Sequence, residues 1–121
     1  MKKPKLVVFD VDGTLTKFVS SWQFLHEKLG TWDIAKQYAG QFFRGAITYD
    51  DWARLDASLG RGLKLEQVRQ IVDSIPYTNG AKDVITFLRR NGFKVVLLSA
   101  GLSLVTERIK REIGVDASLA N

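Results

Sequence analysis

Two short apolar runs stand out along the chain. Leu6-Val7-Val8-Phe9 is continuous and rich in β-branched residues, and Lys94-Val95-Val96-Leu97-Leu98-Ser99 is a second run bounded by Gly92 and Gly101. Apolar stretches of this length, without polar alternation, predict parallel strands buried on both faces. Helical spacing surrounds the second run. Val84, Ile85, Phe87 and Leu88 form one stripe over residues 81–90 that stops at Asn91-Gly92. Leu104, Val105, Ile109 and Ile113 repeat the spacing in a helix opened by Ser103 and stopped at Gly114. Strand, helix, strand, helix predicts the parallel sheet of an α/β protein.

The middle of the chain has a different period. Between residues 17 and 78 no strand pattern occurs, and four amphipathic helical patterns follow one another: Ser21–Leu29, Trp32–Phe43, Tyr49–Leu59 and Leu65–Ile75. Thr48 with Asp51 three residues on reads as a variant capping box, and Pro76 ends the last pattern. The pattern therefore predicts a helical insertion at 17–78, carried by an α/β core made of 1–16 and 79–121. All three tryptophans, Trp22, Trp32 and Trp52, fall in the insertion with Tyr38, Phe42 and Phe43. They are read as its own small core, the alternative being that one or two face a substrate cleft.

Composition narrows the chemistry. The 121 residues are 45% hydrophobic and 26% charged, the range of an ordinary globular domain. There is no cysteine, and His26 is the single histidine, so thiolate sites and metal sites needing two imidazoles are excluded. His26, next to Glu27 and Lys28, is read as a surface or packing residue of the insertion. Carboxylates and hydroxyls must do any chemistry. The net charge is +5, but positive and negative residues number five and three over 1–30, six and six over 31–78, and seven and four over 79–121. No block is a nucleic-acid footprint. Arg108, Lys110 and Arg111 with Arg89 and Arg90 come nearest to a patch and are read as a solvated helix face. Lys2, Lys3 and Lys5 precede only four apolar residues, far short of a signal-peptide core or a membrane span. The expectation is a cytoplasmic protein with neither membrane nor nucleic acid as partner.

Asp10-Val11-Asp12-Gly13-Thr14-Leu15-Thr16 follows the first strand directly. That puts Asp10 and Asp12 at the carboxyl end of the strand, where open α/β sheets bind their ligands. On an extended chain side chains two apart point to opposite faces, so both carboxylates meet one ligand only if the chain turns at Val11. Gly13 supplies the freedom for that turn. Thr14 and Thr16 are read as turn and packing residues. Phe9 to Thr16 resembles motif I of the haloacid dehalogenase-like hydrolases, and Leu97-Leu98-Ser99-Ala100-Gly101 resembles their motif II, a strand ending in Ser or Thr. Residues 17–78 lie where that superfamily inserts a helical cap. Within it, the phosphoserine phosphatase group is most similar, through Pro76 to Arg90 and Val105 to Asn121.

The resemblance implies a Rossmannoid parallel-sheet core with an inserted helical cap, and a Mg²⁺-dependent phosphomonoesterase acting on a small-molecule phosphate ester. Asp10 would be the nucleophile that forms an aspartyl-phosphate, and Asp12 the general acid and then base. Mg²⁺ would sit on the Asp10 carboxylate and the Asp12 backbone carbonyl. Ser99 would bind a phosphoryl oxygen, assisted by the Ala100 and Gly101 amides at the start of the next helix. The group's cap glutamate and cap arginine, which hold the amine and carboxylate of phosphoserine, fall on Val19 and Asp56 in an ungapped alignment. Phosphoserine is accordingly not the expected substrate. Two alternatives stand beside hydrolysis: phosphotransfer or phosphomutase activity, and a non-catalytic phosphate-binding fragment, because the superfamily's later lysine and acidic motifs do not occur after Gly101. The sequence at 117–121 resembles the start of a further strand, which leaves an open sheet edge through which copies would associate.

Overall fold

The first apolar run forms β1 (Lys5–Phe9), the second forms β2 (Phe93–Leu98), and the expected further strand is β3 (Ala117–Leu119). They are parallel, in the order β1-β2-β3, with Val7 opposite Val95, Val8 opposite Val96 and Leu98 opposite Leu119. The structure is a computed structural model that describes Lys3 and residues 5–121. Lys2, grouped above with the N-terminal lysines, lies outside the described residues. Six helices complete the described chain: α1 (Ser21–Leu29), α2 (Trp32–Phe43), α3 (Tyr49–Ser58), α4 (Leu65–Asp73), α5 (Ala81–Arg90) and α6 (Ser103–Glu112).

Local signals account for their ends. Ser20 is extended and its hydroxyl accepts from the Gln23 amide, while Gly30, at φ 72°, closes α1 in the left-handed region. The Thr48–Asp51 capping box is present at α3 in both directions. Helix α6 starts at Ser103 as the sequence predicts, but Leu102 occupies the cap position and no side chain caps it.

Val95 and Leu97 of β2 are fully buried and join Ile85 of α5 and Val105 and Ile109 of α6 in one core. Burial of each such side chain stabilises the fold by roughly 1.5–3 kcal/mol. Val72 and Ile75, at the end of α4 and just beyond it, and Phe24 and Leu25 of α1 extend the same core. The segment 17–78 leaves and rejoins the sheet side by side. Lys17 donates its amide to Pro76 O at 2.9 Å, Thr78 donates to Leu15 O at 2.8 Å, and Thr16 pairs with Tyr77 as an isolated antiparallel bridge.

The expectation of strands buried on both faces needs correction. Leu6, Val8, Leu98 and Leu119 are 52–69% exposed, so one face of the sheet is bare among the described residues. Strand order explains it. Successive right-handed crossovers between neighbouring strands 1-2-3 place their helices on one side of the sheet. No helix of the described residues is long and apolar enough to cross a membrane.

Arg108 also departs from the sequence reading. Lys110, Arg111, Arg89 and Arg90 are exposed as expected, but Arg108 is only 9% exposed. Its guanidinium donates to the carbonyls of Val72 and Ile75 at the end of α4, pairs with Glu112 at 3.0 Å and stacks 4.3 Å from the Tyr77 ring. It satisfies helix-terminal carbonyls that no water reaches. Arg108→Ala is expected to cost about 2–4 kcal/mol of unfolding free energy, and Arg111→Ala, whose exposed pair with Asp73 spans 3.3 Å, less than about 1 kcal/mol. Urea midpoints that are equal for the two variants would contradict this assignment.

Candidate active site

The carboxyl ends of all three strands meet at one cavity of about 410 Å³. Asp10 and Asp12 enter it after β1, Ser99, Ala100 and Gly101 after β2, and Asn121 after β3. Every site residue anticipated from the sequence is thus in one place. The opposite wall comes from the segment 17–78: Val19, Ser20 and Trp22 around the start of α1, and Tyr49, Trp52, Ala53 and Asp56 from one face of α3.

The turn anticipated at Val11 is present. Val11 O accepts from the amides of Thr14, Leu15 and Thr16, and Gly13 has φ 75°. This brings Asp12 round to the same side as Asp10. Asp10 is exposed, and Thr14 donates its hydroxyl to Asp10 Oδ2 at 3.1 Å. Thr16 is buried and donates to backbone carbonyls, which agrees with a packing role.

Asp12 is held more firmly. Ser21 donates both its amide and its hydroxyl to Asp12 Oδ2 at 2.8 Å, and Ser21 Oγ in turn accepts the Leu102 amide at 2.9 Å. Gly101 packs directly against this knot. A Cβ at that position would come closer than 3.0 Å to the Asp12 carboxylate and to Ser21 Oγ. At motif II the structure refines the expectation. The Gly101 amide donates to Ser99 Oγ at 2.9 Å, so it is already committed, and α6 begins two residues later. The Ser99 hydroxyl hydrogen is left to donate outward. Asn121 Nδ2 bridges Ala100 O at 2.8 Å and Tyr49 Oη at 2.7 Å, joining the sheet to α3.

At the far end lies a buried group of a different kind. The Asp56 side chain is 9% exposed, with Oδ2 3.8 Å from His26 Nε2. His26 is buried within the helices, held by Thr31 Oγ1 at 2.8 Å from Nδ1. Burial pushes the Asp56 carboxyl up to about 6, the Trp52 indole nearby partly offsetting it, and pushes the His26 imidazole below its usual 6.5. Asp56 Oδ1, His26 Nε2 and Trp52 Nε1 are closed off from solvent and, among the described residues, make no hydrogen bond of full geometry, the Trp52 indole being the donor nearest Asp56.

Sequence reasoning missed Ser21, Tyr49, Ala53 and Asn121. Positions 49, 52, 53 and 56 share one face of a helix by spacing alone, but nothing in the sequence says which face looks onto the strand ends.

The sequence model of the haloacid dehalogenase-like hydrolases matches residues 7–121. The chain belongs to that family. It is 31% identical over 120 residues to a phosphoserine phosphatase of Archaeoglobus fulgidus, covering 99% of this chain and 35% of the relative. To a phosphoserine phosphatase of Methanocaldococcus jannaschii it is 29% identical, covering 99% and 56%. A solved phosphoserine phosphatase described as a phospho-aspartyl intermediate analogue superposes with a TM-score of 0.77 at 28% identity, over 98% of this chain and 56% of that one. A hydrolase of the family from Salmonella enterica serovar Typhi shares the fold with a TM-score of 0.85 at 19% identity, over 98% and 41%. The chain thus spans roughly a third to a little over half the length of these relatives.

Two outcomes follow from the packing. Gly101→Ala is expected to destabilise the fold by about 1–3 kcal/mol, because the Asp12–Ser21 knot must give way, and a thermal midpoint equal to wild type would refute it. Asp56 gives a pH signature. Its folded pKa lies above the unfolded 3.8, so the native state binds the extra proton between pH 3.8 and about 6. Stability should therefore fall as pH rises through that window, by roughly 1–3 kcal/mol relative to Asp56→Asn. Parallel stability profiles for the two proteins would show that the Asp56 carboxyl is not held up.

Proposed function

We propose that this chain carries the nucleophile and phosphate seat of a phosphomonoesterase acting through an aspartyl-phosphate, with residues 17–78 as the cap over it. The observation that carries the reading is the convergence of Asp10, Asp12 and Ser99 on one cavity at the strand ends. In the first step an Asp10 oxygen attacks phosphorus, the ester P–O bond breaks, and Asp12 delivers its proton to the leaving oxygen. Ser99 donates its hydroxyl to the phosphoryl group. In the second step water attacks the aspartyl-phosphate while Asp12 takes its proton, which releases phosphate and restores Asp10. Longer relatives named as phosphoserine phosphatases support this assignment.

The donors present suit Mg²⁺ in kind. Asp10 offers an exposed carboxylate and Asp12 a backbone carbonyl, both hard oxygen ligands. They are few: among the described residues no group of three His, Cys, Asp or Glu could hold a metal ion, so phosphate and water would fill the remaining positions. When bound there, the ion offsets the repulsion between carboxylate and phosphate dianion. No lysine or arginine lines the cavity, so the Ser99 hydroxyl is the donor its lining offers a phosphoryl oxygen and no side-chain cation offsets the phosphate charge. The substrate reaches the site as a small-molecule phosphate ester.

Asp10→Asn is expected to abolish Mg²⁺-dependent phosphate release from an aryl phosphate and to prevent berylliofluoride from docking, since an amide neither attacks phosphorus nor carries the charge. Asp12→Asn should lose more on alkyl than on aryl esters, because poor leaving groups need the acid. A ³¹P and ¹⁹F NMR titration with a steady-state assay reads all of these. Berylliofluoride bound equally by Asp10→Asn, or equal losses on both ester types for Asp12→Asn, would overturn the respective role.

A further inference from the structure

We propose that the cavity takes phosphate esters of an uncharged aromatic alcohol, the ring of the leaving group held by Val19, Trp22, Tyr49 and Trp52 while the phosphate lies at the strand ends. This rests on the phosphomonoesterase reading above and adds a substrate class to it.

The first observation is where the charges lie. Asp10 and Asp12 stand at the strand ends, and the opposite wall is Val19, Trp22, Tyr49, Trp52 and Ala53, with Asp56 at its far end. The Asp56 carboxyl is no seat for a ligand. Its side chain is 9% exposed, Oδ1 is closed off, and Oδ2 turns to His26 at 3.8 Å, with the Trp52 indole as the nearest donor. The described lining has no lysine or arginine either. A leaving group bearing a carboxylate meets no cation on that wall, and one bearing an ammonium meets no open carboxylate, so each would give up hydration without gaining a partner. The polar pair at the rim, Tyr49 Oη and the Asn121 amide, is neutral and tied together at 2.7 Å. What the wall accepts is an uncharged group.

The second observation is the texture of that wall. Of the three tryptophans, Trp22 and Trp52 line the cavity and Trp32 does not. Each lining ring is backed by another: Trp52 stacks on Phe42 with centroids 4.8 Å apart and meets Tyr49 edge-on at 6.0 Å, and Trp22 stacks on His26 at 6.2 Å. Backed rings are set before a ligand arrives. A flat ring laid among them adds stacked or edge-on contacts that an aliphatic group of equal area lacks, at little ordering cost to the protein. Val19 completes the seat. It is 77% exposed and lies over the turn after β1, since a Cβ on Gly13 would come within 3.4 Å of it. An apolar side chain left so open beside two carboxylates gains by being covered with carbon. At about 410 Å³ the cavity has room for a phosphate and one ring beyond it.

Phosphonates test this on the full chain with Mg²⁺, because their P–C bond is not hydrolysed and binding needs no turnover. Tryptophan fluorescence and calorimetry should show benzylphosphonate binding about tenfold or more tightly than methylphosphonate, and about threefold or more tightly than cyclohexylmethylphosphonate, which has the same reach but no π face. An aminoethylphosphonate should bind no better than methylphosphonate, and inorganic phosphate should displace them all. Trp22→Leu, and Val19→Ser at an exposed position outside the core, should each lower the benzyl-to-methyl ratio by about threefold or more while inorganic phosphate binds as before. If inorganic phosphate binds but methylphosphonate, cyclohexylmethylphosphonate or the aminoethyl compound equals benzylphosphonate, the aromatic seat is overturned and the phosphatase reading survives. The seat is equally overturned if neither substitution moves the ratio. If benzyl alcohol binds and Val19→Ser weakens it, but no phosphate or phosphonate binds, the phosphatase reading falls and the seat survives. If neither benzyl alcohol nor any phosphorus compound binds, both fall.

Discussion

Ser21 ties the first strand, the helical segment and the start of α6 together through a single side chain. Its amide and hydroxyl both donate to Asp12 Oδ2, and its oxygen accepts from the Leu102 amide. The three bonds are short, and the serine is 1% exposed, so none of them competes with water. The aspartate after β1, the first turn of α1 and the backbone entering α6 are thereby set at fixed distances. Gly101 is small because this knot fills the space where its side chain would be. The lower half of the cavity takes its shape from these contacts.

The rest of the wall belongs to α3, and its position depends on longer links. Asn121 bridges Tyr49 to Ala100, while Phe42, Tyr49 and Trp52 pack as one aromatic group between α2 and α3. The aromatic group reaches the core through α2 packed on α1, and Tyr49 is tied to the strand ends through Asn121. At the crossing of Thr16 and Tyr77 the two ends of the segment 17–78 run side by side, bonded on either side of the bridge. Arg108 closes the end of α4 just before that crossing, so the same guanidinium that completes a helix also steadies the return path to the sheet.

Much of this was legible in the sequence because local signals agreed with one another. The strand runs, the capping box at Thr48, the stop at Asn91-Gly92 and the turn at Val11 each follow from residue types acting over a few positions. Asp10 and Ser99 were legible for the same reason, since each directly follows a strand, and Asp12 through the turn anticipated at Val11. Other features depend on partners far away in the chain. Arg108 has the same sequence neighbourhood as exposed Lys110 and Arg111, and only the arrival of Val72 and Ile75 carbonyls makes it a buried residue. The bare sheet face is a matter of crossover handedness, which an apolar run does not encode. Asp56 was marked in the sequence only as the residue standing at the group's cap arginine, and its burial beside His26 and Trp52 follows from packing between helices that α3's own period does not encode.

The Ser21 contacts also make the two oxygens of Asp12 unequal, which bears on the proton that the proposed reaction assigns to it. Two donors already point at Oδ2, so a hydrogen placed there would collide with them, whereas no protein donor reaches Oδ1 among the described residues. The neutral acid is therefore a single tautomer, protonated on Oδ1, and the anion it leaves behind needs no rearrangement because its other oxygen is already solvated by protein. A carboxyl group that in water has two equivalent oxygens has been made asymmetric by one serine. In the two-step reaction proposed above, departure and return of the proton would follow one line.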